Sequence, residues 1–379
     1  MRRRLSLVPA AALACACLLA CDRPKPLVRI AVAGPLTGDL APEGLGMQHA
    51  MEMALADSPA GGEASWRFEV APYDDRAEPE TAAQVAGRIA ADPAVGVVIG
   101  HITSGCSIAA AKVYAAAGLA MITPSATSPE VTQQQTRSDW TGPRVALRIP
   151  ASDAVLGTYA ADYAYDRFEL RRVAVVEDGT AYGRDLATAF RQRFEAKGGA
   201  IVPCRNISRG QTDFTALLSE LQSLGPDGLF FGGIYTELGL LLKQARGLGL
   251  RMPFLGGDGA KAPELFAIAG PAADGAYLAV SGVPVEDIPS AADFVESYRK
   301  RYGSMPRVFD HYAYEAGLIA IECLRRNGAD RPAVLDCIRN SRHSGMLGTI
   351  VFDSKGDTLK SVITMTRADA KQKRFVPIY

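Results

Sequence analysis

The stretch at residues 95–123, VGVVIGHITSGCSIAAAKVYAAAGLAMIT, shows the pattern that decides the fold. Residues 95–100 form a continuous apolar run that predicts a buried strand, 108–118 predict a helix, and 119–123 predict another strand. Near-continuous apolar strands that alternate with helices are typical of a mostly parallel sheet with helices on both faces.

The same alternation extends in both directions along the chain. Upstream, strands are predicted at 27–36 and 68–75, and helices at 46–57 and 79–92. The series then starts again, with strands predicted at 146–150, 171–178, 200–207, 227–233, 253–259, 275–282 and 347–353, and helices at 153–167, 184–199, 214–225, 238–249, 290–302, 311–328 and 332–340. Two such series predict an α/β fold of two doubly wound, Rossmann-like lobes, each with its own sheet.

Composition and motifs exclude several classes of function. The chain has 379 residues, of which 48% are hydrophobic and 22% charged, and this length favours two domains. Basic and acidic residues number 41 each, and no basic run occurs beyond residues 2–4, so no nucleic-acid partner is expected. The sequence has no Gly-x-Ser-x-Gly elbow, no Gly-x-Gly-x-x-Gly after the first strand, no P-loop and no zinc-ligand spacing. We therefore expect neither an enzyme nor a cofactor.

The first 21 residues, MRRRLSLVPAAALACACLLAC, have the pattern of an export signal. Arginines precede an apolar stretch that is too short to span a bilayer comfortably, as in a secretory signal peptide. The final Leu-Leu-Ala-Cys resembles a bacterial lipobox and predicts lipidation of Cys21, with residues 22–27 as a tether. A lipid on Cys21 would anchor the protein to a membrane on the periplasmic side of the cell envelope. A plain signal peptide with incidental cysteines is the alternative.

Four cysteines lie outside this segment, and export permits disulfides between them. Cys323 and Cys337 lie on two consecutive predicted helices and form the natural pair. The alternative is that these two, Cys106 and Cys204 are four separate buried thiols. No Cys-x-x-Cys or histidine–cysteine cluster occurs, so no metal site is expected.

Polar side chains follow several predicted strands, where ligands bind in open α/β sheets. The first lobe contributes mainly hydroxyls, and the second contributes tyrosines and carboxylates. These residues are His101, Thr103, Ser104, Ser125, Thr127, Thr180, Tyr182, Tyr235, Glu237 and Asp258. Hydroxyls on one side and a tyrosine with a carboxylate on the other predict a cleft for a small zwitterion.

Elementary chemistry assigns one end of the zwitterion to each side. Ser104 begins a helical run, where amide groups and the helix dipole favour a carboxylate, and Thr127 adds a second hydroxyl and amide. Asp258 would pair with an α-ammonium, helped by backbone carbonyls near Ser125. The alternatives are that Ser104 and Thr127 only cap helices, and that Asp258 is a turn residue in Gly-Gly-Asp-Gly.

Longer stretches resemble the periplasmic Leu/Ile/Val-binding protein family, the solute receptors of branched-chain amino-acid ABC importers. The matching stretches are YDDRAEPETAAQVA, VIGHITS, MITPSATSPE, AYGRDLA, QTDFTALLSELQ, LFFGGIYTELGLLLKQARGLGL, FLGGDG and MLGTIVFDSKGD. The resemblance implies a monomer whose two lobes, joined by three crossovers, close on the ligand like a hinged trap. It implies that residues 28–148 and 282–346 form lobe 1, and that 149–281 and 347–379 form lobe 2.

The resemblance also assigns roles to residues. Ser104 and Thr127 match the family positions that hold the α-carboxylate of the ligand. The carbonyl of Ser125 matches one that accepts from the α-ammonium, and Asp258 stands where the family has an acidic partner for the same group. Tyr182 matches an aromatic wall from the second lobe.

Two positions in the expected pocket depart from the family. Glu43 stands where members often carry an aromatic residue, and Ile234 stands where another tyrosine would contact the ligand, although the neighbouring Tyr235 could replace it. A carboxylate at the mouth of the pocket would admit a polar or cationic side chain. The family's disulfide is missing, because Ala77 and Thr103 replace its cysteines.

The function implied by the resemblance is that of an extracytoplasmic receptor, anchored by lipid, that delivers an amino acid, branched-chain or related, to an inner-membrane ABC permease. The alternative is a sensor of the same fold for an amide, urea or an amino acid, which signals to a partner protein instead of feeding transport.

Overall fold

A computed structural model describes residues 25–58, 66–359 and 362–378. The predicted signal segment, the lipidation site Cys21 and residues 22–24 of the tether lie outside these ranges.

The first sheet has five parallel strands in the order β2-β1-β3-β4-β5. The strands are β1 (Leu27–Gly34), β2 (Arg67–Asp74), β3 (Val95–Gly100), β4 (Ala120–Thr123) and β5 (Ala146–Arg148). The connecting helices are α1 (Ala41–Asp57), α2 (Pro79–Ala91), α3 (Ser104–Ala116) and the short α4 (Glu130–Gln133). All six residues of β3 are buried, as expected for an apolar strand covered on both faces.

The second sheet begins with five parallel strands, β6 (Arg172–Glu177), β7 (Ala200–Val202), β8 (Gly228–Gly232), β9 (Phe254–Gly256) and β10 (Ala276–Ser281). Its helices are α5 (Asp153–Asp166), α6 (Ala181–Ala196), α7 (Thr215–Leu224), α8 (Tyr235–Gly247) and α9 (Pro263–Ala269). A hairpin of β11 (His343–Gly345) and β12 (Gly348–Ile350) precedes two antiparallel strands, β13 (Ile363–Asp369) and β14 (Arg374–Ile378). These complete the order β14-β13-β10-β9-β8-β6-β7.

The chain passes between the two sheets three times. It leaves the first sheet after β5 and returns after β10 to form α10 (Ala292–Tyr302), α11 (Asp310–Asn327) and α12 (Arg331–Arg339). Helices α11 and α12 pack against the first sheet, and Ile350 and Phe352 belong to the same apolar core. The third passage leads to β13 in the second sheet. Residues that follow strands of both sheets line one cleft between them.

The C-terminal part of the chain differs most from the sequence-based prediction. The strand expected at 347–353 is only the three-residue β12, and β13 and β14 were not predicted. Polar and apolar residues alternate in β13, where Thr364 and Thr366 flank Met365, so these strands lack the continuous apolar pattern of the parallel ones. An antiparallel edge added to a parallel sheet explains this change of pattern.

Candidate ligand-binding cleft

A cavity of about 700 Å³ lies between the strand ends of the two sheets. Six of the seven predicted ligand-binding residues line it, and they are Glu43, Ser104, Ser125, Thr127, Tyr182 and Asp258. Ile234 lines the cavity as well. The first four of the six come from elements of the first sheet and the other two from the second, so ligand held in this cavity would touch both halves of the molecule.

The seventh residue, Tyr235, is not among the described residues that line the cavity. It is the first residue of α8 and is 2% exposed. Its hydroxyl donates a hydrogen bond to the backbone carbonyl of Asp39, at 2.6 Å, on the other side of the cleft. Tyr235 is therefore part of a contact between the two halves and not of the cavity lining.

The hydroxyl-rich loop after β4 is held in place by its own side chains. The Thr123 hydroxyl donates to the carbonyl of His101 at 2.8 Å and accepts from the amide of Ala126 at 2.9 Å. The hydroxyl of Ser104, the first residue of α3, accepts from the amide of Ser128 at 3.2 Å. These bonds hold the loop against the N-terminus of α3, where Ser125 and Thr127 face the cavity.

Arg148, which the sequence analysis missed, holds the same loop from behind. Its side chain is fully buried, and its Nη1 donates to the carbonyls of Thr127, at 2.9 Å, and Ser128, at 2.6 Å. Its Nη2 pairs with Asp357, on the segment that returns to the second sheet. A basic residue at the end of a short strand carries no sequence signal of this role, because the partners are backbone carbonyls distant in the chain.

The opposite wall carries a buried carboxylate with one free oxygen. Asp258 Oδ1 accepts from the hydroxyl of Tyr182 at 3.2 Å, and that hydroxyl accepts from the amide of Gly259 at 3.0 Å. Asp258 Oδ2 is buried and has no hydrogen-bond partner among the described residues. Burial raises the pKa of Asp258 to about 7, and the bond from Tyr182 opposes this rise. Such a group gains most from a cationic partner.

A second buried carboxylate, Asp153, lies near Asp258. It is fully buried at the start of α5, and its amide donates to the carbonyl of Thr127 at 2.8 Å. Burial, and next the charge of Asp258, raise the pKa of Asp153 well above its ordinary value, although the nearby Thr127 hydroxyl opposes the rise. Neither carboxylate oxygen has a partner at hydrogen-bond distance within the described ranges. Sequence reasoning missed Asp153 because Ser-Asp before an apolar run is an ordinary helix start.

Glu43 lies in the cavity wall but is already paired. Arg307 Nη2 lies 2.6 Å from Glu43 Oε1 and 2.7 Å from an oxygen of Glu264. Glu43 is on α1 and Glu264 is on α9, so Arg307 joins the two halves of the molecule. The sequence analysis expected Glu43 to admit a polar or cationic side chain; in the structure Glu43 shares Arg307 with Glu264, and its Oε2 is buried without a hydrogen-bond partner among the described residues.

Three further contacts connect the two halves across the cleft. Arg209 forms a bidentate pair with Asp39, with distances of 2.7 and 2.9 Å. The hydroxyl of Ser128 donates to Asp185 on α6. Together with the bond from Tyr235 to Asp39, these contacts hold the halves against each other around the cavity.

The cysteines lie apart from the cleft wall. Cys323 on α11 and Cys337 on α12 form a disulfide, whereas Cys106 and Cys204 are free, with Cys106 buried. Ala77 and Thr103, which the sequence resemblance assigned to the positions of a disulfide, both line the cavity. Over residues 25–58, 66–359 and 362–378, no helix is long and apolar enough to cross a membrane. The same part of the chain holds no cluster of potential metal ligands.

Comparisons with known proteins extend along nearly the whole described chain. A family model described as periplasmic binding protein matches residues 27–373. A leucine-, isoleucine-, valine-, threonine- and alanine-binding protein of Pseudomonas aeruginosa is 32% identical over 332 residues, which are 87% of each chain. The Leu/Ile/Val-binding protein of Escherichia coli is 29% identical over 331 residues, 87% of this chain and 88% of that protein.

Solved structures show the same similarity. A leucine-binding protein from Thermotoga maritima has a TM-score of 0.84 at 30% identity, with 93% of this chain and 98% of that chain covered. The substrate-binding protein of a branched-chain amino-acid transporter from Streptococcus pneumoniae, solved with isoleucine, has a TM-score of 0.82 at 24% identity. The match covers 93% of this chain and 99% of that chain. The second likeness concerns the fold alone.

Proposed function

Because this chain belongs to the periplasmic binding protein family, we propose that it is an extracytoplasmic receptor that captures an α-amino acid, branched-chain or related, and delivers it to an ABC importer. Membership of this family makes it a solute-binding protein and not an enzyme. The observation that carries the proposal is the two-sided cavity, with hydroxyls and a helix N-terminus on one wall and the free oxygen of Asp258 on the other.

The first wall suits the α-carboxylate of the ligand. The N-terminal amide groups of α3 and its dipole favour a negative charge at Ser104. Thr127 is 1% exposed and lines the cavity beside Ser104, so its hydroxyl and amide would complete the set of donors. Arg148 fixes the backbone that carries Thr127, and this preorganisation lowers the cost of binding.

The second wall suits the α-ammonium. Asp258 would supply its free Oδ2, and the carbonyl of Ser125 would supply a second acceptor. A charge-assisted hydrogen bond in such a buried site is stronger than a neutral one. Tyr182 would form the adjacent aromatic wall and hold Asp258 in position through its hydroxyl.

Closure of the two halves around the ligand follows from where these groups lie. A ligand bound to Thr127 and Asp258 at once interacts fully only when the halves meet, so it stabilises the closed arrangement by its differential affinity. The pair between Arg209 and Asp39 and the bond from Tyr235 would form in the same step. We assign Tyr235 to closure and not to the ligand.

The proposal includes the cellular context that the family implies. Lipidation of Cys21 would anchor the receptor on the periplasmic side of the membrane, and an ABC permease would recognise the closed monomer. Ligand-dependent stimulation of ATP hydrolysis by the reconstituted importer distinguishes delivery from sensing, because a pure sensor would leave that rate unchanged.

Calorimetric titration of residues 23–379 with α-amino acids and their deaminated analogues tests the ligand class. We expect one site that binds an α-amino acid and rejects the analogue without the amino group by about a hundredfold, since Asp258 is then left buried and unpaired. The variant Thr127→Ala should weaken binding by more than about tenfold. Equal affinity for the deaminated analogue, or a preference for acetamide or urea, would contradict the assignment.

A further inference from the structure

Lys261 lines the cavity, and its ammonium makes no hydrogen bond within the described residues, although it lies 5.9 Å from the centre of the Phe375 ring. It follows the short turn Asp258–Ala260, and its side chain is 11% exposed. It lines the large cavity and also a second cavity of about 20 Å³. Within the described residues its ammonium makes no hydrogen bond, and the one carboxylate within 4.0 Å is Glu286, at 3.8 Å.

The other cationic side chains that line the large cavity are either paired with a carboxylate or exposed to solvent. Arg209 has its bidentate partner Asp39, and Lys112 and Arg184 are exposed to solvent. Glu286 is itself 40% exposed, so solvent weakens its attraction for Lys261. Burial lowers the pKa of Lys261, and the charges of Glu286 and Asp287 only partly offset that effect. A desolvated ammonium of this kind gains from an anionic partner.

His311 gives a second, independent observation at the same place. It lies on the first turn of α11, is 2% exposed, and lines the small cavity together with Lys261. Both of its ring nitrogens are buried and have no hydrogen-bond partner among the described residues. Unsatisfied buried groups are rare in folded proteins and call for an explanation.

The ring of His311 is neutral at physiological pH. Burial, and then the charge of Lys261, lower the pKa of His311 to about 3. One ring nitrogen is therefore a donor and the other an acceptor. The small cavity, about 20 Å³, exceeds the roughly 10–15 Å³ that one water molecule needs, so a water can relay a hydrogen bond from His311.

We propose that Lys261, with His311 behind it, forms a second polar subsite that binds a side-chain carboxylate of the ligand, so that the preferred α-amino acid is acidic and not branched-chain. This inference rests on the proposed function, because it takes the α-carboxylate to lie at Thr127 and the α-ammonium at Asp258. An aliphatic side chain in this place would leave the Lys261 ammonium desolvated and unpaired, whereas a carboxylate pairs with it.

Calorimetry on the wild-type chain with L-glutamate, L-aspartate, L-glutamine and L-leucine tests the subsite. We expect an acidic amino acid to bind more tightly than L-leucine by about tenfold or more. L-Glutamate should also bind more tightly than L-glutamine, which has nearly the same shape and no side-chain charge.

The variant Lys261→Met should weaken binding of the acidic amino acid by about thirtyfold or more and should not weaken L-leucine binding, because it removes the ammonium that leucine leaves unpaired. Lys243→Met, on an exposed position of α8, removes the same charge and should leave both affinities unchanged. Circular dichroism verifies that both variants fold, and if Lys261→Met does not, the wild-type comparison of glutamate with glutamine decides.

The outcomes separate this inference from the proposed function. Tighter binding of L-leucine than of the acidic amino acids, or equal binding of glutamate and glutamine, would overturn the acidic subsite and leave the receptor function intact. No binding of any α-amino acid would overturn both.

Discussion

The guanidinium of Arg307 lies 2.6 Å from the carboxylate of Glu43, so the acidic group in the cavity wall already has a cationic partner. Burial raises the pKa of Glu43 to about 7, and the charge of Arg307 opposes this rise. The same guanidinium lies 2.7 Å from a carboxylate oxygen of Glu264, so one cation serves two carboxylates. Glu43 Oε2 is buried and has no hydrogen-bond partner among the described residues, so the pair does not by itself select the side chain of the ligand.

The energetic coupling of this pair is testable by a double-mutant cycle. Arg307→Met leaves Glu43 buried and unpaired, and we expect it to lower the free energy of unfolding by about 3 kcal/mol at about pH 8. Glu43→Gln in the same background should restore much of that loss, because it removes the uncompensated charge. Urea denaturation of the four proteins gives the coupling. Strictly additive effects would show that the pair contributes nothing.

Ligand affinity should depend on pH through Asp258. Its pKa in the empty cavity is about 7, and the α-ammonium pairs with the ionised form. Below that pKa the carboxyl group must first lose its proton, so affinity falls with falling pH and is about twentyfold weaker at pH 5.5 than at pH 7.5. Calorimetry across this range measures the effect.

A control assigns that dependence to the right carboxylate, since Glu43 also titrates near pH 7. Glu43→Gln should keep the pH dependence, and Asp258→Asn should lose it together with most of the affinity. An affinity that stays constant from about pH 5.5 to 7.5 in the wild type would refute the role of Asp258 as the ammonium partner.

Asp153 should tolerate a neutral isostere. Its pKa in the folded state is raised well above the ordinary 3.8, so ionisation destabilises the fold once the pH exceeds that ordinary value. Asp153→Asn removes this penalty, and we expect a higher free energy of unfolding at neutral pH, with the gain shrinking as the pH falls toward 3.8. A loss of stability at neutral pH would mean that the ionised carboxylate is needed.

The disulfide between Cys323 and Cys337 should contribute to the free energy of unfolding and have little effect on ligand affinity. It closes a loop with a sequence separation of 14, for which chain entropy predicts a contribution of about 3 kcal/mol. Replacing both cysteines by serine should lower the free energy of unfolding by about 2–3 kcal/mol. Cys323 lies about 18 Å along α11 from His311, so ligand affinity should stay within about twofold. Calorimetry and denaturant unfolding measure the two effects separately.

The fold was predictable from the sequence where strands are buried on both faces. Stretches such as 95–100 and 228–232 have the apolar pattern expected of strands covered on both faces, and both lie in the parallel parts of the two sheets. The antiparallel strands β13 and β14 escaped prediction because neither has the continuous apolar run of the parallel strands: β13 places polar residues between apolar ones, and the short edge strand β14 contains a proline.

The cavity was predictable wherever a residue directly follows a strand. Ser104, Ser125 and Asp258 were found in this way, because parallel strands bring their carboxyl ends together. Arg148, Asp153, Lys261 and Arg307 were not, since their roles depend on partners far along the chain. Glu43 shows most clearly what a sequence pattern cannot predict. Its carboxylate pairs with Arg307, which is 264 positions away in the chain.

Arg148 has a consequence for the order of events during capture. One guanidinium binds the carbonyls of Thr127 and Ser128 and also the carboxylate of Asp357, so the hydroxyl-bearing loop and a returning strand connection share one anchor. In the proposed closure, the loop would stay with the first sheet, and Asp258 would move with the second. We expect an incoming amino acid to bind this loop first through its α-carboxylate. The second half would then close over the ligand and bind its α-ammonium.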